Sequence, residues 1–159
     1  MKLSVKSIAL AGVTAALYVV LTVGFAPLSF REVQFRFSEI LNLLAFINPV
    51  YAIGVTLGCF ISNVVSSPFG IVDWVVGTTM TGCAVFFITR TKNLFIASLL
   101  PVLFVIPVGV EIAALSHIPL FLTVLSVVVG EFAVVTLIGY PLFRFVILKN
   151  KQVVDILKG

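Results

Sequence analysis

Apolar residues run through this chain almost without a break, and the short polar interruptions carry the residues that end and turn helices. The apolar stretches cover about Val5 to Phe25, Ser38 to Ile47, Val50 to Val65, Gly70 to Thr89, Leu94 to Leu115 and Pro119 to Leu148. Between them stand Pro27 with a charged stretch, Asn48-Pro49, Ser66-Ser67-Pro68, the Arg90 to Asn93 turn and Ser116-His117-Ile118-Pro119. In lipid only helices and closed barrels satisfy their own backbone hydrogen bonds, and these stretches lack the dyad alternation of barrel strands. The pattern therefore predicts an all-α membrane protein, a six-transmembrane-helix bundle forming one integral-membrane domain over residues 1–159. The second and third helices fall short of the ~20 residues of a full span. They are expected to pack inside the bundle or to meet a locally thin bilayer. Val5 to Phe25 is too long for a typical signal-peptide core and lacks a convincing small-x-small cleavage site before Pro27, so it is expected to stay as the first helix.

Composition agrees with this pattern. With 61% hydrophobic and 10% charged residues, too little polar surface exists to cover a soluble domain of this length. Six spans put both ends on one side. Lys2, Lys6, Arg90, Lys92, Arg144, Lys149, Lys151 and Lys158 then face the cytoplasm against Arg31 and Arg36 outside, so the N and C termini are expected to be cytoplasmic. The net charge of +4 reports this orientation and does not point to a nucleic-acid partner. Cys59 and Cys83 sit in apolar segments as small hydrophobes. No His, Cys or carboxylate cluster has metal-ligand spacing and no glycine-rich loop follows a strand, so nothing argues for a metal or nucleotide site in this chain.

Two stripes of small residues stand out. Ala11 and Ala15, with Gly12 and Ala16 beside them, and Gly54 and Gly58 in the third helix, have the small-xxx-small spacing that lets helix backbones approach closely in lipid.

The stretch FREVQFRFSE, Phe30 to Glu39, gathers Arg31, Glu32, Gln34, Arg36 and Glu39 in a chain otherwise nearly free of charge. Val33, Phe35 and Phe37 alternate with Glu32, Gln34 and Arg36, a pattern that fits a lid, apolar below and polar above, or a solvated loop at the membrane edge. Ser38 is expected to N-cap the next helix with Glu39 in its first turn. In the six-helix topology the other ionisable groups of the apolar segments also fall in the outer half. Asp73 opens the fourth helix, Glu111 lies late in the fifth, and Glu131 is about 12 residues into the sixth, near mid-membrane at 1.5 Å per residue. Asn63 closes the third helix on the same side, and Trp74 sits at interface depth.

An ionisable group within a membrane helix costs at least a few kcal/mol and normally faces a cavity or a partner. Glu111 and Glu131 are candidate ligand contacts, or carboxylates held neutral or paired with Arg36 to fix packing. Asn63 and Asp73 are candidates or helix caps. His117, flanked by apolar residues in a turn, reads as an interface residue. Arg36 against Glu39, Asp73, Glu111 and Glu131 leaves an acidic excess, which favours a cation or a group rich in N–H donors. A guanine-like edge is one such group, its donors accepted by carboxylates while Trp74 or a phenylalanine stacks on the ring.

The segments VQFRFSE, IVDWVVG after a Ser-Pro-Phe-Gly turn, GVEIA and VVGEFAV, in this order, resemble the queuosine-precursor transporter family (QueT). That family supplies substrate-binding S components of energy-coupling factor (ECF) importers. The resemblance covers nearly the whole chain, and Gln34, Phe35, Arg36, Ser38 and Glu39 keep the family's Gln-Phe-Arg-x-Ser-Glu pattern. It implies a substrate site on the outer side capped by the first connector, with Gln34, Arg36, Glu39, Asn63, Asp73, Trp74, Glu111 and Glu131 as candidate contacts. It implies no catalytic activity and no cofactor in this chain. The partners implied are a transmembrane coupling subunit (EcfT), against which the Ala11/Ala15 face would lie, and two ATPases that consume ATP. In such importers the binding subunit is thought to rotate in the membrane. The acidic excess leans toward precursors with an amine, queuine and 7-aminomethyl-7-deazaguanine, over 7-cyano-7-deazaguanine. Two further readings stay open: an S component for another small vitamin-like solute, and a membrane assembly protein whose carboxylates pair with a partner's basic helix. An intramembrane enzyme lacks a nucleophile–base set.

Overall fold

The computed structural model describes residues 4–29 and 35–158, with Leu28 described by its backbone alone. Gln34, like Arg31 and Glu32 of the expected lid, lies outside the described residues. Every regular element among the described residues is a helix, without a strand among them. Helix α1 (Val5–Gly24) begins where the Ser4 hydroxyl accepts from the Ser7 amide at 3.1 Å, and it is followed by a single turn, α2 (Ala26–Ser29). The chain returns as a 3-10 helix (Phe37–Leu43) continued by α3 (Leu44–Ile47), then goes out along α4 (Val50–Ser66) and back along α5 (Ile71–Ile88). Helices α6 (Leu94–Phe104) and α7 (Ile106–Ser116) form one apolar length interrupted at Val105. Pro101 and Pro107 flank that point and cannot donate to the carbonyls four residues back, which accounts for the break. Helix α8 (Leu120–Glu131) continues through two π-helical stretches (Phe132–Gly139 and Leu142–Ile147), and α9 (Lys151–Lys158) closes the described chain.

Among the described residues, Val5–Gly24, Ile71–Ile88, Leu94–Ser116 and Leu120–Ile147 are long and apolar enough to cross a membrane. Large apolar side chains such as Val20, Leu103, Phe121 and Leu137 stand exposed along these helices, as lipid-facing residues do. The Phe37–Ile47 and Val50–Ser66 helices are shorter, as their sequences predict. At 2.0 Å per 3-10 residue and 1.5 Å per α residue, Phe37–Ile47 reaches only about 20 Å. Ser38, Glu39, Asn42, Leu43, Leu44 and Ala45 are all buried, so this helix packs inside the bundle.

The sequence expectation that Ser38 caps this helix is not met. The 3-10 helix starts at Phe37 with Arg36 in the capping position, and the Ser38 hydroxyl lies 2.6 Å from that of Thr22 on α1. A serine offered a buried hydroxyl partner across a helix interface has no need to bond its own backbone.

The two small-residue stripes meet each other. A Cβ on Gly54 would stand 2.5 Å from the Ala11 carbonyl oxygen, and one on Gly58 would stand 2.6 Å from Tyr18 Cβ. Backbone contact this close is what small faces allow in lipid. Ala11 and Ala15 are consequently buried against α4, and the face expected to receive a coupling subunit is filled from within the chain. The side of α1 that remains exposed carries Gly12 and Ala16.

Candidate functional site

The 3-10 helix is the reason a polar row exists. Side chains three residues apart eclipse one another in that geometry, so Arg36, Glu39 and Asn42 line one edge. Arg36 Nη1 lies 4.0 Å from Glu39 Oε1, and Asn42 Nδ2 donates to Glu39 Oε2. From α1, the hydroxyl of the fully buried Tyr18 donates to Glu39 Oε1. Each oxygen of this carboxylate therefore has its own donor.

Helices α5, α6, α7 and α8 close around the row. Gly77, Met80, Thr81 and Ala84 from α5, Pro101 and Phe104 from α6, Val105, Val108 from α7 and Glu131 from α8 line, with Arg36 and Glu39, a narrow cavity. Glu131 ends α8 where the helix widens into its π-helical continuation, a departure from α geometry that recurs at functional sites. It stands within the electrostatic reach of Glu39 and Arg36. One turn beyond Val108, Glu111 is buried within the reach of Asp73 and Arg36. Asp73, one turn before Gly77, is buried as well. The side-chain amide of Asn63 on α4 donates to the Asp73 carbonyl at 3.3 Å, tying α4 to α5 rather than capping its own helix.

Sequence reasoning thus finds the charged members of this chamber, and the structure brings Arg36, Glu39 and Glu131 to one cavity, with Asp73 and Asn63 beside its lining residue Gly77 and Glu111 within the reach of Asp73. Trp74 does not line the cavity, and Phe104 is the aromatic residue that does. Successive helix residues are turned by about 100°, so an inward Asp73 carries Trp74 away from the centre. His117 is the exposed, left-handed C-cap of α7, outside the cavity. Tyr18 and Asn42 have no place in the sequence reading. Their signals were a tyrosine in the middle of an apolar span and an asparagine three residues from Glu39.

The distribution of hydrogen bonds sets the chemistry. Both oxygens of Glu111, Oε1 of Glu131, and the side-chain carbonyls of Asn42 and Asn63 are buried without a donor among the described residues. Buried acceptors left in this state cost about 1–3 kcal/mol each. Such a chamber is complementary to a solute that brings N–H or O–H donors. Among the described residues, the acidic side chains of the chamber outnumber Arg36, which disfavours phosphate or carboxylate groups there.

An all-helical bundle with long lipid-facing helices and a polar chamber sunk into one end defines a multi-pass membrane protein. The chain belongs to the QueT transporter family, whose profile matches residues 8–147. It is 49% identical over 71 residues to a protein of Lactococcus lactis subsp. cremoris (strain MG1363) named Queuosine precursor transporter QueT. That alignment takes in 43% of this chain and 41% of the relative's length. No solved structure matches the chain.

Proposed function

We propose that this chain is the substrate-binding S component of an ECF importer that captures a 7-deazaguanine queuosine precursor, queuine or 7-aminomethyl-7-deazaguanine, outside the cell. The observation that carries the substrate class is the surplus of donorless buried acceptors on Glu111, Glu131, Asn42 and Asn63. A deazaguanine presents ring and exocyclic N–H donors to such acceptors, and a side-chain amine would balance part of the acidic excess. Phe104 offers the ring a stacking face. Family membership and the name of the Lactococcus relative support the same class.

In this reading the chain is one domain of six spans with both termini in the cytoplasm. Its partners are a coupling subunit and two ATPases that hydrolyse ATP. With Ala11 and Ala15 committed to α4, the coupling subunit would meet the exposed Gly12/Ala16 side of α1, where a Cβ on Gly12 touches nothing within 4 Å.

Titration calorimetry of the detergent-purified protein with 7-aminomethyl-7-deazaguanine, guanine and a panel of water-soluble vitamins tests the substrate class. Binding of the deazaguanine that drops at least tenfold in Glu131→Gln is expected, since a hydrogen bond to a charged group contributes about 1.5–3 kcal/mol. Tight binding of a vitamin instead would move the chain to another solute. No binding of any solute would favour an assembly role.

A further inference from the structure

We infer that Tyr18 and Asn42 are positioning residues that fix the Glu39 carboxylate for reading a substrate donor, and that Tyr18 thereby ties α1 to the recognition step. This rests on the proposed substrate class. Among the described residues of the chamber region, Glu39 is the glutamate with a donor on each oxygen. The oxygens of Glu39 are each engaged by one donor, Tyr18 from α1 and Asn42 from the next 3-10 turn, so the plane of the carboxylate is set from two directions. Among the described residues, Glu111 has no donor on either oxygen and Glu131 none on Oε1. A carboxylate has about four lone-pair sites, so two donors leave Glu39 able to accept from a solute in the cavity it lines. A rigid acceptor discriminates between solutes that do and do not carry the matching donor. An acceptor free to turn away discriminates less.

Tyr18 is well placed to hold that rigidity. Its side chain is fully buried, and its Cβ is the atom that a Cβ on Gly58 would strike, so the ring is fixed by the α1–α4 packing before it reaches Glu39. A displacement of α1 relative to the 3-10 helix would break the Tyr18 to Glu39 bond and loosen the acceptor.

The test measures affinity for 7-deazaguanine and for 7-deazahypoxanthine, which lacks the exocyclic amino group, in wild type, Tyr18→Phe, Asn42→Leu, Glu39→Gln and Tyr18→Phe/Glu39→Gln. Wild type is expected to prefer 7-deazaguanine. Tyr18→Phe should weaken 7-deazaguanine about tenfold, the scale of one charge-assisted hydrogen bond, and weaken 7-deazahypoxanthine less, so that the preference narrows. Asn42→Leu, acting on the other oxygen, should narrow it in the same sense and stands in if Tyr18→Phe fails to fold. Adding Tyr18→Phe to Glu39→Gln should narrow it no further, because both act through one carboxylate. A general packing role for Tyr18 and Asn42 would lower both affinities by one factor and keep the preference, which overturns the inference while leaving the substrate class standing. A wild type that binds neither these two compounds nor 7-aminomethyl-7-deazaguanine overturns the substrate class and this inference with it.

Discussion

The α1–α4 seam and the acidic chamber lie side by side and share Tyr18, yet they are built in opposite ways. In the seam, backbone meets small side chain at the limit of contact, and the hydroxyls nearby are satisfied within their own helices. Thr14 donates to the Leu10 carbonyl and Ser62 to that of Gly58, each at 2.7 Å. In the chamber, side chains are just as buried, but Glu111 and Glu131 hold polar atoms with no partner among the described residues. The seam spends its residues on stability, and the chamber gives up stability to keep acceptors open. A binding site under that constraint is expected to be stabilised by changes that ruin it.

The sharpest way to break the contrast is to overfill the seam. Gly58→Leu drives its side chain into Tyr18 and the Ala15 carbonyl, and the expected result is loss of the monodisperse folded protein in size-exclusion chromatography. Gly58→Ala, with a single added carbon, should cost on the order of 1–3 kcal/mol. A Gly58→Leu protein that melts like wild type would mean the seam does not hold α1. The next largest effect has the opposite sign. Glu111→Leu removes two donorless oxygens and should raise thermal stability by about 1–3 kcal/mol while deazaguanine binding is lost. A lowered melting temperature would instead make Glu111 part of an ion pair that fixes the helices.

Asn63 stands between the two regions, since it leaves α4 to bond the Asp73 carbonyl of α5. Asn63→Ala should cost about 1 kcal/mol and weaken binding a few-fold, a mixed outcome in keeping with that position. Unchanged stability with full loss of binding would assign it wholly to the chamber. The smallest effect is expected at Thr136, whose hydroxyl donates to the Ser98 carbonyl at 3.0 Å away from the cavity. Thr136→Val should cost about 0.6 kcal/mol, the usual value for such a bond between membrane helices, with affinity unchanged in calorimetry.

Much of this was legible in the sequence for one physical reason: in a chain of apolar helices, a charge or a small-residue stripe has few ordinary explanations. Glu39, Arg36 and Glu131 stand out against their surroundings, and the structure puts them at one cavity. Gly54 and Gly58 announce a close approach, as do Ala11 and Ala15. Spacing tells that a face is small but not what will press against it, so the partner of Ala11 and Ala15 could not be read, and it proved to be α4. The apolar lining was illegible because Met80, Ala84, Pro101 and Val108 are types that any membrane helix carries. Eclipsing of Arg36, Glu39 and Asn42 depends on a seven-residue 3-10 helix, and runs of that length are too uncommon to expect. Trp74, expected to stack on a ligand, does not line the cavity.

That displaced residue has a use of its own. Trp74 is the sole tryptophan in the sequence, half-buried with its indole N–H unpartnered among the described residues, one residue from Asp73. Selective excitation of indole in this protein therefore yields light from a single known position. Its emission colour reports how dry and how hydrogen-bonded the N-terminal end of α5 is at that moment. The chain carries a built-in optical reporter, so events at that end can be timed by stopped-flow fluorescence without attaching a dye.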